Sequence, residues 1–354
     1  MGRRLAYGFA ILIALLTFAP QLVRADWWLL RSLDFPRAQL FVLALVAGGA
    51  LGPFLEPPRR RPGSVANLLF AAALGAAALQ GARILPYTPM WPDQVHSAAG
   101  VRGPTIRLLV ANVLIDNRDS SRLLGQVDRW KPDVVVLTEP DAWWAAALRP
   151  LREDYPHVVE VPRENAYGMM LFSRLPLLDA RVQYLVEPDV PSIRADVELG
   201  SRRVALRLVH PRPPIPSAGT TTERDAELLI VGREVRRLGR PAIVAGDLND
   251  VAWSRTTRLF QRISGTLDPR RGRSLYSTFH ADYPFLRWPL DHVFHTEHFE
   301  LVRIARLGHN GSDHFPILVE LRLTPAAPRE QEPLPLDEDD RDEAREQIRE
   351  AEEQ

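Results

Sequence analysis

Cysteine is absent from the 354 residues, so the chain holds neither disulfides nor thiolate metal sites. Lysine is nearly absent: Lys131 is the only one, and arginine carries the positive charge. No internal repeat is visible. Net charge at pH 7 is zero, but the zero hides a segregation. Residues 1–103 carry 10 basic and 4 acidic side chains; residues 104–324 carry 30 and 28; residues 325–354 carry 4 and 12. Three physically different regions are expected.

The first region, 1–86, is apolar. Residues 5–23 and 38–55 contain no charge, and 64–85 only Arg83. Each run is long enough to cross a hydrocarbon layer of about 30 Å as a helix. Arg3 and Arg4 precede the first run, and Arg59, Arg60 and Arg61 lie between the second and third. Positive loops stay in the cytoplasm, which puts everything after residue 86 outside. A multi-pass inner-membrane protein with an extracytoplasmic, periplasmic domain is expected. An alternative makes the first run a cleaved signal peptide ending at Val23, Arg24 and Ala25; the third span still exits outward. Residues 87–103, rich in Pro and Gly, read as a linker. The acidic segment 325–354 lacks apolar periodicity and is expected to be disordered, although its last 13 residues could form a transient helix.

Residues 104–324 mix strand-like and helical patterns. Residues 106–113 (IRLLVANV) read as a buried strand. In 120–130, Leu123, Leu124, Val127 and Trp130 recur at helical spacing. DVVVLTEP, GMMLFS, IRADVEL, RRVALRLVH, PAIVAGDLND, LDHVFH, LVRIARL and FPILVEL follow as strands. A capped helix runs between RRVALRLVH and PAIVAGDLND and stops at Gly239. Strands that follow strands directly exclude a purely parallel sheet. Polar residues gather at strand ends: Asn112, Glu139, His210, Asp247, Asn249, Asp291, and the pair Asp313–His314 in GSDHFP. Taken singly, each reads as a solvated turn or a satisfied hydrogen-bonder. Together they suggest convergence on one rim, where α/β sheets bind ligands.

The succession of NV, a strand ending in Glu139, GMMLFSRLPL, a strand ending in His210, GDLN, LDHVF and SDHFP resembles the endonuclease/exonuclease/phosphatase (DNase I-like) superfamily. That group includes nucleases, neutral sphingomyelinases and inositol polyphosphate phosphatases. The three apolar runs resemble a bacterial membrane-anchored branch. The resemblance covers about residues 104–324. It implies an α/β (α+β) four-layer sandwich of two mixed β-sheets flanked by helices, here preceded by transmembrane helices.

The resemblance also implies roles. Glu139, with Asn112 beside it and Asp313 facing it, would hold Mg²⁺ or Mn²⁺. Asp247 would align or deprotonate the attacking water, and Asn249 and His210 would contact the phosphate. His314, oriented by Asp291, would act at the phosphate as a base or charged donor. His292 should point away, since side chains alternate along a strand. Nucleases of the group often carry an Asp where this chain has Leu114, and Asp116 is no clear substitute. The expected activity is metal-dependent hydrolysis of a phosphodiester. The substrate, nucleic acid or lipid headgroup, stays open: Arg255, Arg258, Arg262, Arg270, Arg271 and Arg273 could follow a nucleic-acid backbone or meet the anionic headgroups of the bilayer. A non-catalytic membrane scaffold is the alternative outside enzymes.

Overall fold

The computed structural model describes residues 1–22, 26–57, 64–98, 102–324 and 331–353. The motif Val23, Arg24, Ala25 and the triplet Arg59, Arg60, Arg61 lie outside the described residues, as do residues 325–330.

The chain begins with α1 (Gly2–Leu22), a short α2 (Trp28–Ser32), α3 (Arg37–Leu51) and α4 (Val65–Ile84). By length and composition, Gly2–Gln21, Arg37–Phe54 and Val65–Tyr87 could each cross a membrane. Small residues let them approach: Ala44, Ala47, Ala73 and Ala76 are buried between them. Leu12, Leu15, Val42, Val46 and Leu68 face outward. A polar link joins all three, with Arg37 donating to Gln80 at 2.9 Å and Gln80 to Thr17 at 3.2 Å. Tyr7, near the start of α1, meets Phe54 just after α3. Those two termini therefore share one end of the bundle. The opposite end meets the rest of the molecule: Trp253 donates to the Asp34 carbonyl at 2.7 Å, and the Tyr87 hydroxyl to that of Ala252 at 2.6 Å.

The second region runs β1 (Thr105–Asn112), α5 (Ser121–Trp130), β2 (Val134–Thr138), α6 (Ala142–Ala147), β3 (His157–Val161), β4 (Met169–Ser173), β5 (Leu177–Gln183), β6 (Ser192–Leu199), β7 (Arg202–Leu208), α7 (Thr222–Leu238), β8 (Ala242–Asp247), α8 (Arg255–Ser264), β9 (Asp291–His295), β10 (Phe299–Arg306) and β11 (Ile317–Leu323). Six strands order as β10-β11-β1-β2-β4-β3 and five as β5-β6-β7-β8-β9. Only β1–β2 and β7–β8 pair parallel; every other ladder is antiparallel. The two mixed sheets flanked by helices agree with the expected sandwich.

The continuous apolar runs have a simple cause. Both faces of the central strands are covered, so every position must be apolar. Leu108 and Val110 of β1 point into the core between the sheets, with Leu206 and Ile243 opposite. Leu109 and Ala111 point the other way, beneath Leu123 and Val127 of α5. On the far side, Val244 of β8 meets Leu228 and Val231 of α7 and Phe260 of α8.

Two segments differ from expectation. Residues expected as linker are docked: Val95 is in the inter-sheet core, and Ala98 donates to the Leu301 carbonyl at 2.9 Å. The segment expected to be disordered carries a helix, α9 (Asp340–Glu352). Ala344 and Ile348, one turn apart, pack on Leu229 of α7 and Leu259 of α8. Arg262 grips Asp340 with two bonds of 2.7 Å, and Arg255 pairs with Glu343 at 2.8 Å. A short apolar stripe and a ready set of counter-charges order a segment whose composition alone favours solvation.

Candidate active site

β1, β2, β7 and β8 end at the same rim, where β9 begins and where the turn before β11 lies. The parallel pairs put strand ends side by side. The antiparallel ones bring Asp291 opposite Asp247, and Ile317 opposite Val110. All eight residues singled out in the sequence belong to this rim.

The GDLN turn depends on backbone crowding. Gly246 has φ +144°, and a Cβ there would lie 1.9 Å from the Val209 carbonyl oxygen; no other residue fits. Asn249 follows at φ +50° and Glu139 sits at φ +64°. Non-glycine residues rarely take this conformation, and such strain collects at functional sites. The Asn249 amide donates to the Pro211 carbonyl at 2.9 Å, and its backbone N–H to Asp247 Oδ1 at 2.9 Å.

Asn112 is the hub of one half. Its Nδ2 donates to Glu139 Oε1 at 2.7 Å and to Asp247 Oδ2 at 3.1 Å. Its Oδ1 accepts the Leu114 N–H at 2.9 Å. Burial pushes the Glu139 carboxyl up to about 7; the Asn112 hydrogen bond resists this, and the Asp247 and Asp313 charges add to it. Negative charge is crowded here.

The other half centres on His314. Its Nδ1 lies 2.8 Å from Asp291 Oδ2, and its Nε2 lies 3.6 Å from Asp247 Oδ2. Burial alone would lower this imidazolium, but Asp291, Asp247 and Asp313 outweigh it and lift it to about 10. His210 behaves oppositely. Burial lowers it against a weaker pull from Asp247, 4.0 Å away. Among the described residues, its buried Nδ1 has no hydrogen-bond partner.

Two donor sets could hold a cation. Ligating atoms of Asp247, Asp291 and His314 lie within 4.8 Å of one another, but His314 and Asp291 already bond each other. The oxygen-rich set of Glu139, Asn112 and Asp313, beside Asp247, suits a hard cation better. The Glu139 carboxyl, raised chiefly by burial and further by the Asp247 and Asp313 charges, fits that use.

His292 faces away from the rim. Its Nε2 lies 2.9 Å from the Asp250 carbonyl and its Nδ1 2.5 Å from Arg270. Three supporting residues had no signal in the sequence. Thr278 Oγ1 accepts the Asp291 N–H at 3.2 Å, and the Phe279 ring lies 4.9 Å from His314. Arg224 donates to the Asn249 carbonyl at 3.0 Å and to Asp225. They lie outside the quoted motifs, and tertiary packing alone brings them in.

The arginine-rich stretch does not form a free basic track. Besides Arg255 and Arg262, Arg270 is buried against Asp268 at 2.8 Å, Arg273 pairs with Asp93 at 2.8 Å, and Arg271 lies over the Tyr87 ring.

No curated protein matches the chain. Among solved structures it is similar to an endonuclease/exonuclease/phosphatase from Beutenbergia cavernae DSM 12333, at 22% identity over 62% of this chain and 72% of that one, TM-score 0.50. It is also similar to the human Nocturnin catalytic domain with bound sulfate, at 18% identity over 63% and 96%, TM-score 0.52. A third is D. rerio TDP2 complexed with single-strand DNA product, at 16% identity over 62% and 99%, TM-score 0.52. At these identities the likeness establishes the fold. The model of the Endonuclease/Exonuclease/phosphatase family matches residues 109–314, more than half of the chain and reaching from β1 to His314. The chain belongs to the endonuclease/exonuclease/phosphatase family.

Proposed function

We propose that the chain is a membrane-anchored phosphodiesterase of the bacterial membrane-bound branch, dependent on a divalent cation, with its catalytic domain outside the cytoplasm. The observation that carries this reading is the opposed pair of histidines around Asp247. His314 is held charged and His210 neutral on either side of one carboxylate. Groups whose environments drive their protonation apart are suited to separate acid and base duties.

In this reading Asp247 aligns the attacking water and takes its proton. His314, already an imidazolium, donates to a phosphoryl oxygen; Asp291 fixes its tautomer. His210, with a free ring nitrogen, contacts the leaving side. The Asn249 amide steadies the phosphate. Glu139, Asn112 and Asp313 hold Mg²⁺ or Mn²⁺, which supplies charge neutralisation at the phosphoryl oxygens.

One observation favours a substrate presented at a membrane surface over free nucleic acid. The loop that carries Phe279 against His314 continues to Phe285, whose side chain is 86% exposed. The Phe285 carbonyl accepts from Gln39, in the first turn of α3, at 2.8 Å. Tyr283 and Leu286 beside it are exposed as well. The mouth of the site thus lies level with the end of an apolar helix. TDP2 with its DNA product keeps a nuclease reading in view.

Turnover decides. The full chain in nanodiscs should hydrolyse bis(p-nitrophenyl) phosphate faster than the monoester, need added Mg²⁺ or Mn²⁺, and prefer vesicle phospholipid to single-stranded DNA. Silence toward every phosphoester with either cation would leave a scaffold. A periplasm-active reporter at the C-terminus should be active; activity of a cytoplasm-only reporter would reverse the topology.

A further inference from the structure

A cavity of about 500 Å³ lies where the apolar helices meet the sandwich, lined from α1, α2, α3, α4, α8 and α9. Six arginines face it. Four are neutralised: Arg31 by Asp26 and Asp225, Arg37 by Asp34, Arg255 by Glu343 and Arg262 by Asp340. The remaining two, Arg83 and Arg258, make no ion pair within 4.0 Å among the described residues, although the charge of Asp34, which pairs with Arg37, reaches Arg83 from farther off. Asp337 and Asp339, the other acids at the mouth, are exposed to water.

Holding these cations together is costly. Arg258 is half-buried, and burial, with repulsion from Arg262, Arg271 and Arg37, lowers its affinity for its proton. A guanidinium kept from water without a counter-charge calls for an anion. Two guanidinium forks match the oxygens of a phosphate. Position narrows the source. Arg83 is in the last turn of α4 and Arg37 opens α3, so the cavity is at the depth where apolar side chains stop and headgroup phosphates begin.

We infer that this cavity is an anion site, separate from the catalytic rim, in which Arg83 and Arg258 take the phosphate of an anionic phospholipid headgroup. The inference rests on the reading that α1, α3 and α4 cross a bilayer, and not on catalysis. A lipid held there would pin the sandwich to the membrane at a fixed tilt.

The test reads thermal stability of the full chain in neutral detergent, so an inactive enzyme would not disturb it. Phosphatidylglycerol should raise the midpoint by a few degrees, and inorganic phosphate or phosphatidylcholine should do much less. The variants Arg83→Gln, Arg258→Gln and the double change should invert the pattern. Without lipid they should be at least as stable as the parent, since a repulsion is removed. With phosphatidylglycerol they should gain little. Two arginines serving only to support the fold would show neither the inversion nor the lost response. Equal stabilisation by inorganic phosphate would overturn the lipid source. A phosphatidylglycerol response that survives the double change would overturn the site.

Discussion

The molecule holds incompletely paired, partly buried charge in two places, and the unpaired groups have opposite sign. At the rim, Glu139, Asp247, Asp291 and Asp313 outnumber the cationic His314. At the helix junction, Arg83 and Arg258 are the two arginines that make no ion pair among the described residues. Folding alone rewards neither arrangement, because a buried charge costs free energy unless it is paired. On the two proposed readings, each would be matched by something the chain receives: a cation at one site, an anion at the other. They also differ in construction. The rim is made at strand ends with strained backbone; the junction is made of long side chains on straight helices, which tolerate a less exact ligand.

The largest effect should come from breaking the rim. His314→Ala should cost about 10²-fold or more in turnover, the scale of a lost general acid or base. Asp291→Asn should cost much of the same, and the double variant far less than the product of the singles, because the pair acts as one unit. Multiplicative losses would dissolve the dyad.

Next comes a contrast between two glutamates raised to about 7: the part-buried Glu139, chiefly by desolvation, and the buried Glu227 of α7, also by desolvation, beside Ser192. A carboxyl raised on folding contributes stability below its ordinary value near 4.5, and loses it as pH rises through 7. At about 1.4 kcal/mol per tenfold change in affinity, each stands to lose on the order of 3 kcal/mol by pH 8. Added Mg²⁺ should recover the Glu139 share and leave the Glu227 share untouched. Midpoints at pH 5 and 8, with Mg²⁺ or EDTA, should therefore show a Mg²⁺ gain at pH 8 that vanishes in Glu139→Gln. Turnover of that variant should lose its Mg²⁺ response. Glu227→Gln should instead flatten the pH dependence with the Mg²⁺ gain intact. A Glu139→Gln variant with an unaltered Mg²⁺ response is not missing a ligand.

The smallest effect on rate belongs to His292→Ala. Its ring is bonded to Asp250 and Arg270 behind the rim, so turnover per folded molecule should stay within about twofold while stability falls by roughly 1–3 kcal/mol. A folded but inactive variant would move the catalytic histidine to position 292.

Legibility followed the same division. The rim could be read because strand ends are contiguous in sequence, and GDLN, LDHVF and SDHFP each carry their polar residues beside an apolar run. β3 and β5 escaped notice. HVVEV is half-buried throughout, and LLDARVQ is exposed at its centre, where its register with β6 shifts. α9 was legible only as a transient helix because its partners, Arg255 and Arg262, lie far back in the chain. Arg83 and Arg258 were visible as residues but not as neighbours, since only the docking of helices on sandwich brings them together.

The stitching of the rim has a mechanical corollary. Asn112 belongs to the six-stranded sheet and Asp247 to the five-stranded one; His314 leads into the former and Asp291 opens the latter. The contacts Asn112–Asp247, His314–Asp247 and His314–Asp291 all span the seam. The candidate site is therefore a gauge of the spacing between two slabs, and in an active site misplacement by about an ångström can cost about a hundredfold in rate. Mild denaturant or heat that lets the slabs breathe should extinguish turnover well before tryptophan fluorescence reports unfolding, and a substrate-like anion that bridges the seam should tighten the whole sandwich.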